Sequence, residues 1–181
     1  MATPACYHVL VAEGHLRDHN RGNAGDLAAD LSTPDNAQAR VIAEIIQRAR
    51  PDVLLINEFD FDEAAVGLFQ DNYLDVSQNG ADPISYPYTF IAPSNTGVQS
   101  GFDLNNDGTV GGPDDALGFG FFEGQFGMVV YSKYPIVDSR TFQEFLWKDM
   151  PGALLPVNPT TGEPWYSEEE LGVFRLSSKS H

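Results

Sequence analysis

Apolar residues recur at helical spacing between residues 34 and 50. Ser32 or Thr33 can cap a helix there, Pro34 suits its first turn, and Pro51 ends it. The spacing predicts an amphipathic helix that runs up to Pro51. Six residues make its predicted apolar face: Ala37, Val41, Ile42, Ile45, Ile46 and Ala49.

An uninterrupted apolar run, VLLIN at residues 53–57, follows this helix with almost no loop. Such a run is typical of a strand buried on both faces in a layered α/β protein. Other segments fit a second helix at 63–74, strands at 6–12, 86–92, 126–132 and 172–178, and a turn at 133–137 leading into another strand. The order of these elements predicts an α/β (α+β) sandwich with a mixed sheet.

Three segments contain many Gly, Asn, Asp or Pro residues and are predicted to be loops: 14–27, 94–125 and 151–170. The second is an insertion whose length is typical of a functional or disordered loop. Because there is no internal repeat and no obvious linker, residues 1–181 are predicted to form a single domain.

The chain carries 26 acidic and 10 basic residues, which gives a net charge of −16. This charge disfavours binding to a nucleic-acid backbone and suits cations. No apolar run approaches the roughly 20 residues of a membrane span. The start of the sequence has no basic segment and only the short run VLVA, so no signal peptide is predicted, although a secreted parent protein is compatible with this composition.

Three carboxylates alternate directly after the VLLIN run: Glu58, Asp60 and Asp62. Functional groups gather beyond the carboxyl ends of strands in open α/β sheets, and a hard cation such as Mg²⁺ takes oxygen ligands there. Glu58 is then a metal ligand, with Asn57 or Asp60 nearby. Alternatively, the acids simply face water as the chain leaves the core, and the spacing alone leaves both interpretations open.

The stretch QARVIAEIIQRARPDVLLINEFDFD, residues 38–62, resembles a signature of the endonuclease/exonuclease/phosphatase superfamily, which has the DNase I-like fold. A second stretch, GQFGMVVYSKYPI at 124–136, resembles the next recurrent element of that superfamily. Residues 95–108, 115–128 and 176–181 look like a bacterial subgroup of unknown substrate.

This resemblance implies a DNase I-like four-layer α/β sandwich, of which the chain holds the N-terminal half. It also implies metal-assisted phosphoester hydrolysis, with Mg²⁺ or Mn²⁺ at Glu58 and Gln125 beside the site. The family's first-strand Asn has no counterpart near Leu16, and the G-D-x-N and S-D-H motifs of its second half do not occur. We therefore expect the fragment to be inactive without its C-terminal half, and open sheet edges would favour association.

Residues 103–114, DLNNDGTVGGPD, resemble a calcium loop of the dockerin type. Side chains at loop positions one, three, five and twelve and a backbone carbonyl at position seven bind the ion in such loops, and a glycine at position six makes the sharp turn. The matching residues are Asp103, Asn105, Asp107, Asp114, Thr109 and Gly108, with Asp115 as a spare ligand. The alternative is a solvated acidic turn.

Three functions are compatible with these sequence features. The first is a divalent-metal-dependent phosphoester hydrolase acting on a substrate of unknown identity. The second is a non-enzymatic binding module stabilised by calcium, and the third is a nuclease, which the charge of −16 disfavours.

Overall fold

A computed structural model describes residues 22–175 of the protein, together with the backbone of residues 11–15. Its elements are, in chain order, β1 (Val11–His15), α1 (Asp26–Leu31), α2 (Ala37–Ala49), β2 (Val53–Asn57), α3 (Glu63–Phe69) with a π-helical turn (Gln70–Leu74), β3 (Tyr88–Ile91), β4 (Met128–Ser132), a 3-10 turn (Trp147–Asp149) and α4 (Glu168–Leu171). Among the described residues, no helix is both long enough and apolar enough to cross a bilayer.

The strands form one four-stranded sheet in the order β1-β2-β4-β3. β1 is parallel to β2, whereas β4 is antiparallel to both β2 and β3. The mixed sheet predicted from the sequence is therefore confirmed. Asn57 pairs with His15 on one side and with Met128 on the other. The end of β2 and the start of β4 therefore lie together at one edge of the sheet, the edge that is formed by strand ends.

The helices cover one face of this sheet. Leu54 and Ile56 of β2 and Val129 and Tyr131 of β4 point to that face, are fully buried, and share one apolar cluster with residues of α1, α2 and α3. The opposite face is half-buried at Val53, Leu55, Met128 and Val130, and is exposed at Tyr88 and Phe90. The prediction that β2 is buried on both faces was thus wrong for the second face, within the part of the chain that the structure describes.

α2 begins one turn later than the sequence suggested. Asn36 caps it by accepting a hydrogen bond from the Ala39 N–H, and the Asn36 N–H donates to the Tyr73 hydroxyl. Ser32, Thr33 and Pro34 therefore lie in the turn before the helix. The predicted apolar face is also rotated, because Ala39, Ala43, Ile46 and Gln47 are buried while Val41 and Ile45 are exposed.

Two short helices begin in segments predicted to be loops. α1 is held by Leu27 and Leu31, which are one turn apart and both buried, and α4 begins with a capping box formed by Ser167 and Glu170. Conversely, the turn predicted at 133–137 does not lead into a strand, because residues 133–145 contain none. Of the predicted final strand, the described part makes only an isolated bridge between Leu146 and Arg175.

The first strand is shifted: the described β1 shares residues 11–12 with the predicted 6–12 and continues to His15, into the predicted loop. The remaining strand and helix predictions agree with the structure. β2, β3 and β4 lie within the predicted segments, and α3 with its π-helical turn covers 63–74 as expected. Residues 6–10 and 176–178 of the predicted first and last strands, and the position near Leu16, lie outside the described residues.

A buried glutamine joins α2 to the π-helical turn. The Gln47 side chain is 2% exposed. Its Nε2 donates to the carbonyls of Tyr73, Leu74 and Val76 at 3.2, 2.9 and 2.7 Å, and its Oε1 accepts from the Gln78 N–H at 3.0 Å. One side chain thus satisfies backbone groups that the end of a helix leaves without intrahelical partners.

We predict that Gln47→Leu lowers the free energy of unfolding by about 2–3 kcal/mol, because buried carbonyls and one N–H lose a partner. Urea unfolding measures this change. Gln99→Leu is the matched control, since Gln99 is exposed and makes one hydrogen bond, to the Gly112 carbonyl. Equal midpoints for the two variants would contradict the role given to Gln47.

Candidate active site

The three carboxylates after β2 have three different environments. Asp62 is the N-cap of α3, and its Oδ1 accepts from the N–H groups of Ala64 and Ala65 at 2.9 and 3.3 Å. A side chain committed to this cap serves the helix, so Asp62 belongs to the structural scaffold.

Asp60 is buried, with 5% of its surface exposed. Its Oδ1 accepts from the Phe126 N–H at 3.0 Å. Asp60 therefore fastens the segment after β2 to the loop that leads into β4.

Backbone hydrogen bonds reinforce the same connection. The Phe59 N–H donates to the Gly127 carbonyl at 3.1 Å, and the Phe61 N–H donates to the Gly124 carbonyl at 2.8 Å. The antiparallel pairing of β2 and β4 thus continues past the ends of both strands.

Glycine is required at two positions of this contact. A Cβ on Gly127 would lie 2.9 Å from the Phe59 carbonyl oxygen. A Cβ on Gly124, whose φ is +86°, would lie 2.9 Å from the Phe61 Cβ. Any larger residue would push the two segments apart.

Glu58 occupies the bend at which the chain leaves β2. Its φ is 57°, in the left-handed region, and its side chain is half-buried beside the buried Asn57. This conformation costs a non-glycine residue roughly 1–2 kcal/mol. Such strain clusters at active sites and ligand clamps, which favours a functional role for Glu58.

Gln125 lies in the loop that faces this bend. It is 1% exposed, and its Oε1 accepts from the Phe121 N–H at 2.7 Å. Asn57, Glu58, Asp60 and Gln125 are therefore all found at one edge of the sheet, on two segments that hydrogen-bond to each other.

These side chains carry oxygen donors, the ligand type of Mg²⁺ and Mn²⁺. Within residues 22–175, no group of three His, Cys, Asp or Glu side chains is arranged to hold a metal ion. Mg²⁺ commonly uses only one or two protein carboxylates, with water and substrate oxygens completing its shell. Glu58 with its neighbours fits that kind of site.

The predicted calcium residues form a separate group within the insertion. Asp103 accepts from the N–H groups of Asp107 and Gly108 at 3.0 and 2.8 Å, and Asp107 accepts from the Thr109 N–H at 2.8 Å. Asn105 also accepts from the Asp107 N–H. Each oxygen has two lone pairs, so these bonds leave capacity for a cation.

Asp115, the residue directly after the loop, bonds to the loop backbone. It is 1% exposed and accepts from the N–H groups of Leu104 and Gly111 at 2.7 and 2.8 Å. Asp114, at position twelve of the sequence pattern, is exposed. The spacing of the calcium-loop pattern selects Asp114 as the last ligand. The only signal for Asp115 is that the apolar residues Ala116 and Leu117, which are buried, follow it.

A model of the Endonuclease/Exonuclease/phosphatase family matches residues 23–178, well over half of the chain. The protein therefore belongs to this family, as its sequence motifs indicated. Family members act on phosphoester substrates, nucleic acids among them, and generally depend on divalent metal ions. No curated protein and no solved structure matches the chain.

We predict that Glu58→Gly is more stable than Glu58→Ala by about 1 kcal/mol, because glycine adopts positive φ without a Cβ penalty while both variants remove the same side chain. Urea unfolding of the two proteins measures the difference. The same pair at Glu44, inside α2, should show the opposite order, since glycine weakens a helix interior. A more stable alanine variant at position 58 would argue against strain there.

Proposed function

We propose that this protein is the metal-binding part of a divalent-metal-dependent phosphoester hydrolase, with Glu58 as ligand to Mg²⁺ or Mn²⁺. The observation that carries this proposal is the strained, half-buried carboxylate at the end of β2. Its position in a chain of the endonuclease/exonuclease/phosphatase family supports the assignment.

Each residue of the site has a part in this proposal. A bound divalent ion supplies charge that polarises a phosphoryl oxygen. Glu58 holds the ion directly, and Asn57 lies beside it at the sheet edge. Asp60 and Gln125 position the facing loop through their bonds to the Phe126 and Phe121 N–H groups.

The 181 residues contain neither a G-D-x-N nor an S-D-H motif. We infer that they lack the groups that would activate water and stabilise transition-state charge, and that their own hydrolytic activity is low. Partners removed from a cooperative site commonly cost several orders of magnitude in rate.

The charge of −16 favours a small phosphoester over a polynucleotide as substrate. A long polyanion would be repelled by the net charge of the protein, whereas a single phosphate group needs only a bound cation to offset its charge. A nuclease remains the less favoured member of the same class.

We predict that wild-type protein binds Mg²⁺ in a calorimetric titration and that Glu58→Gln weakens this binding by about tenfold or more, because a carboxylate ligand is lost. Glu144→Gln removes an exposed carboxylate elsewhere and should leave the affinity unchanged. Asp107→Ala should also bind Mg²⁺ normally, which separates this site from the calcium-type loop. Mg²⁺ binding that survives in Glu58→Gln would refute the assignment.

We also propose that residues 103–114 bind Ca²⁺ through Asp103, Asn105, Asp107, Thr109 and Asp114. The convergence of Asp103, Asn105 and Asp107 on one short turn supports this proposal. The bound ion would stabilise the acidic insertion, while Asp115 holds the loop backbone. If only this site binds metal, the protein is a calcium-stabilised binding module, not an enzyme.

Calcium is expected to raise the melting temperature of wild-type protein, since a ligand that binds the folded state stabilises it. Asp107→Ala should lose the shift, and Asp114→Ala should reduce it. Asp138→Ala, an exposed aspartate outside the insertion, should keep the full shift. An unchanged shift in Asp107→Ala, measured by differential scanning calorimetry, would leave the loop as a solvated acidic turn.

A further inference from the structure

Three phenylalanine rings form a row at the end of the insertion: Phe126, Phe119 and Phe121. Phe119 stacks on Phe126 with ring centroids 6.4 Å apart and ring planes 12° apart. Phe121 meets Phe119 edge-on at 5.6 Å. Phe119 and Phe121 are 41% and 64% exposed, so this phenylalanine row presents aromatic surface to solvent.

The phenylalanine row is anchored next to the candidate metal ligand. The Phe126 N–H donates to Asp60, which lies on the bend that begins at Glu58. Backbone hydrogen bonds on both sides of Phe126, between Gly124 and Phe61 and between Gly127 and Phe59, hold the row against that bend. A group bound at Glu58 and a group stacked on the row therefore lie on neighbouring segments of one edge.

The row is also rigidly supported. Phe126 has a φ of 54°, an outlier for so bulky a residue. Its N–H donates to Asp60, two residues after Glu58, whose φ is also positive. Strained residues of this kind persist only where the surrounding structure fixes them, and they cluster at ligand clamps.

Close backbone packing fixes the rest of the loop. A Cβ on Gly97 would lie 1.8 Å from the Phe122 carbonyl oxygen, and a Cβ on Gly120 would lie 2.7 Å from the Gly97 nitrogen. The Phe121 N–H is held by Gln125. A preorganised aromatic surface loses little entropy when a ligand stacks on it.

The surroundings indicate what kind of group fits. Three rings are far smaller than the roughly 800 Å² that each partner buries in a stable protein interface. The charge of −16 opposes a polyanionic strand. A single planar ring, of a nucleobase or a simple aryl group, matches the size of the row and stacks on phenylalanine.

We propose that the phenylalanine row is a stacking platform for a planar ring carried by the phosphoester that binds at Glu58. This inference rests on the proposed function and narrows its substrate to a small, ring-bearing phosphoester. The phosphate would lie at the Glu58 edge while the ring stacks on Phe119 and Phe121.

The test compares paired ligands by calorimetry in saturating Mg²⁺: AMP with ribose 5-phosphate, and phenyl phosphate with methyl phosphate. The ring-bearing member of at least one pair should bind about 5- to 100-fold more tightly. The two pairs distinguish a nucleobase from a simple aryl group. Phe119→Ala and Phe121→Ala should bring the ratio of the affinities for the ring-bearing and the ring-free ligand close to one, while the affinity for Mg²⁺ stays unchanged.

Phe142→Ala is the matched control, because Phe142 is 52% exposed and its ring pairs edge-on with Phe145, which is not one of the three rings of the row. Its ratio should equal that of wild type. A wild-type affinity ratio near one, or a ratio that persists in both Phe119→Ala and Phe121→Ala, would overturn the proposal.

Sedimentation velocity of the same proteins measures their oligomeric state. A change of oligomeric state in Phe121→Ala with an unchanged affinity ratio would overturn the proposal and assign the row to contacts between copies of the chain.

A titration without metal distinguishes failure of this proposal from failure of the proposed function. Adenosine, which has a ring and no phosphate, is titrated by NMR with ring-labelled phenylalanine. Shifts that disappear in Phe121→Ala support the platform even if Mg²⁺ fails to bind and the hydrolase assignment fails. Normal Mg²⁺ binding with no adenosine shifts and no preference for ring-bearing phosphates would leave the metal site and reject the platform.

Discussion

The extension of the β2–β4 pairing beyond the strand ends is the constraint on which the candidate site depends. Two backbone hydrogen bonds and two glycines bring residues 59–61 against residues 124–127. Because a side chain at either glycine would separate the segments, this contact is sterically specified. Glu58, Asp60 and Phe126 take their positions from it, including the left-handed backbone at the first and the last of these.

The helical layer packs against one face of the sheet and supports the strands whose ends carry the candidate site. The helices contribute buried leucines, alanines and aromatic rings to the covered face of the sheet. Two buried tyrosines in this layer have hydrogen-bond partners for their hydroxyl groups. The Tyr131 hydroxyl donates to the Val66 carbonyl, and the Tyr86 hydroxyl donates to the Pro51 carbonyl, both at 2.9 Å. Burial raises the pKa of both phenols, so they remain neutral donors at physiological pH. With these hydroxyl groups satisfied, this layer is a firm support for the strands.

The insertion between β3 and β4 joins two features with different chemistry. One end is an acidic turn that suits a hard cation, and the other is an exposed aromatic row beside Glu58. Bridges between Thr96 and Gly118 and between Gln99 and Ala116 connect its two sides, so the insertion is a folded part of the protein without regular strands. The bond between this insertion and the segment after β2 agrees with the proposed roles of that segment in metal binding and of the phenylalanine row in substrate selection.

The central strands, the helix that follows β2, the family and the position of Glu58 at a strand end could all be predicted from the sequence. These features rest on local apolar runs, on turn residues and on a contiguous motif, all of which can be read along the chain. The buried face of α2 differs from the predicted one. Gln47 is buried because it bonds to residues more than twenty-five positions away, and no periodicity of apolar residues signals a buried glutamine. The capping role of Asp62 rests on its immediate neighbours, whereas the bond between Asp60 and the Phe126 N–H joins residues 66 positions apart in the sequence. The burial of Asp115 but not of Asp114, and the position of the phenylalanine row next to residues 59–61, follow from how the whole chain folds. Contacts between segments far apart in sequence depend on packing and hydrogen-bond geometry, not on residue type alone.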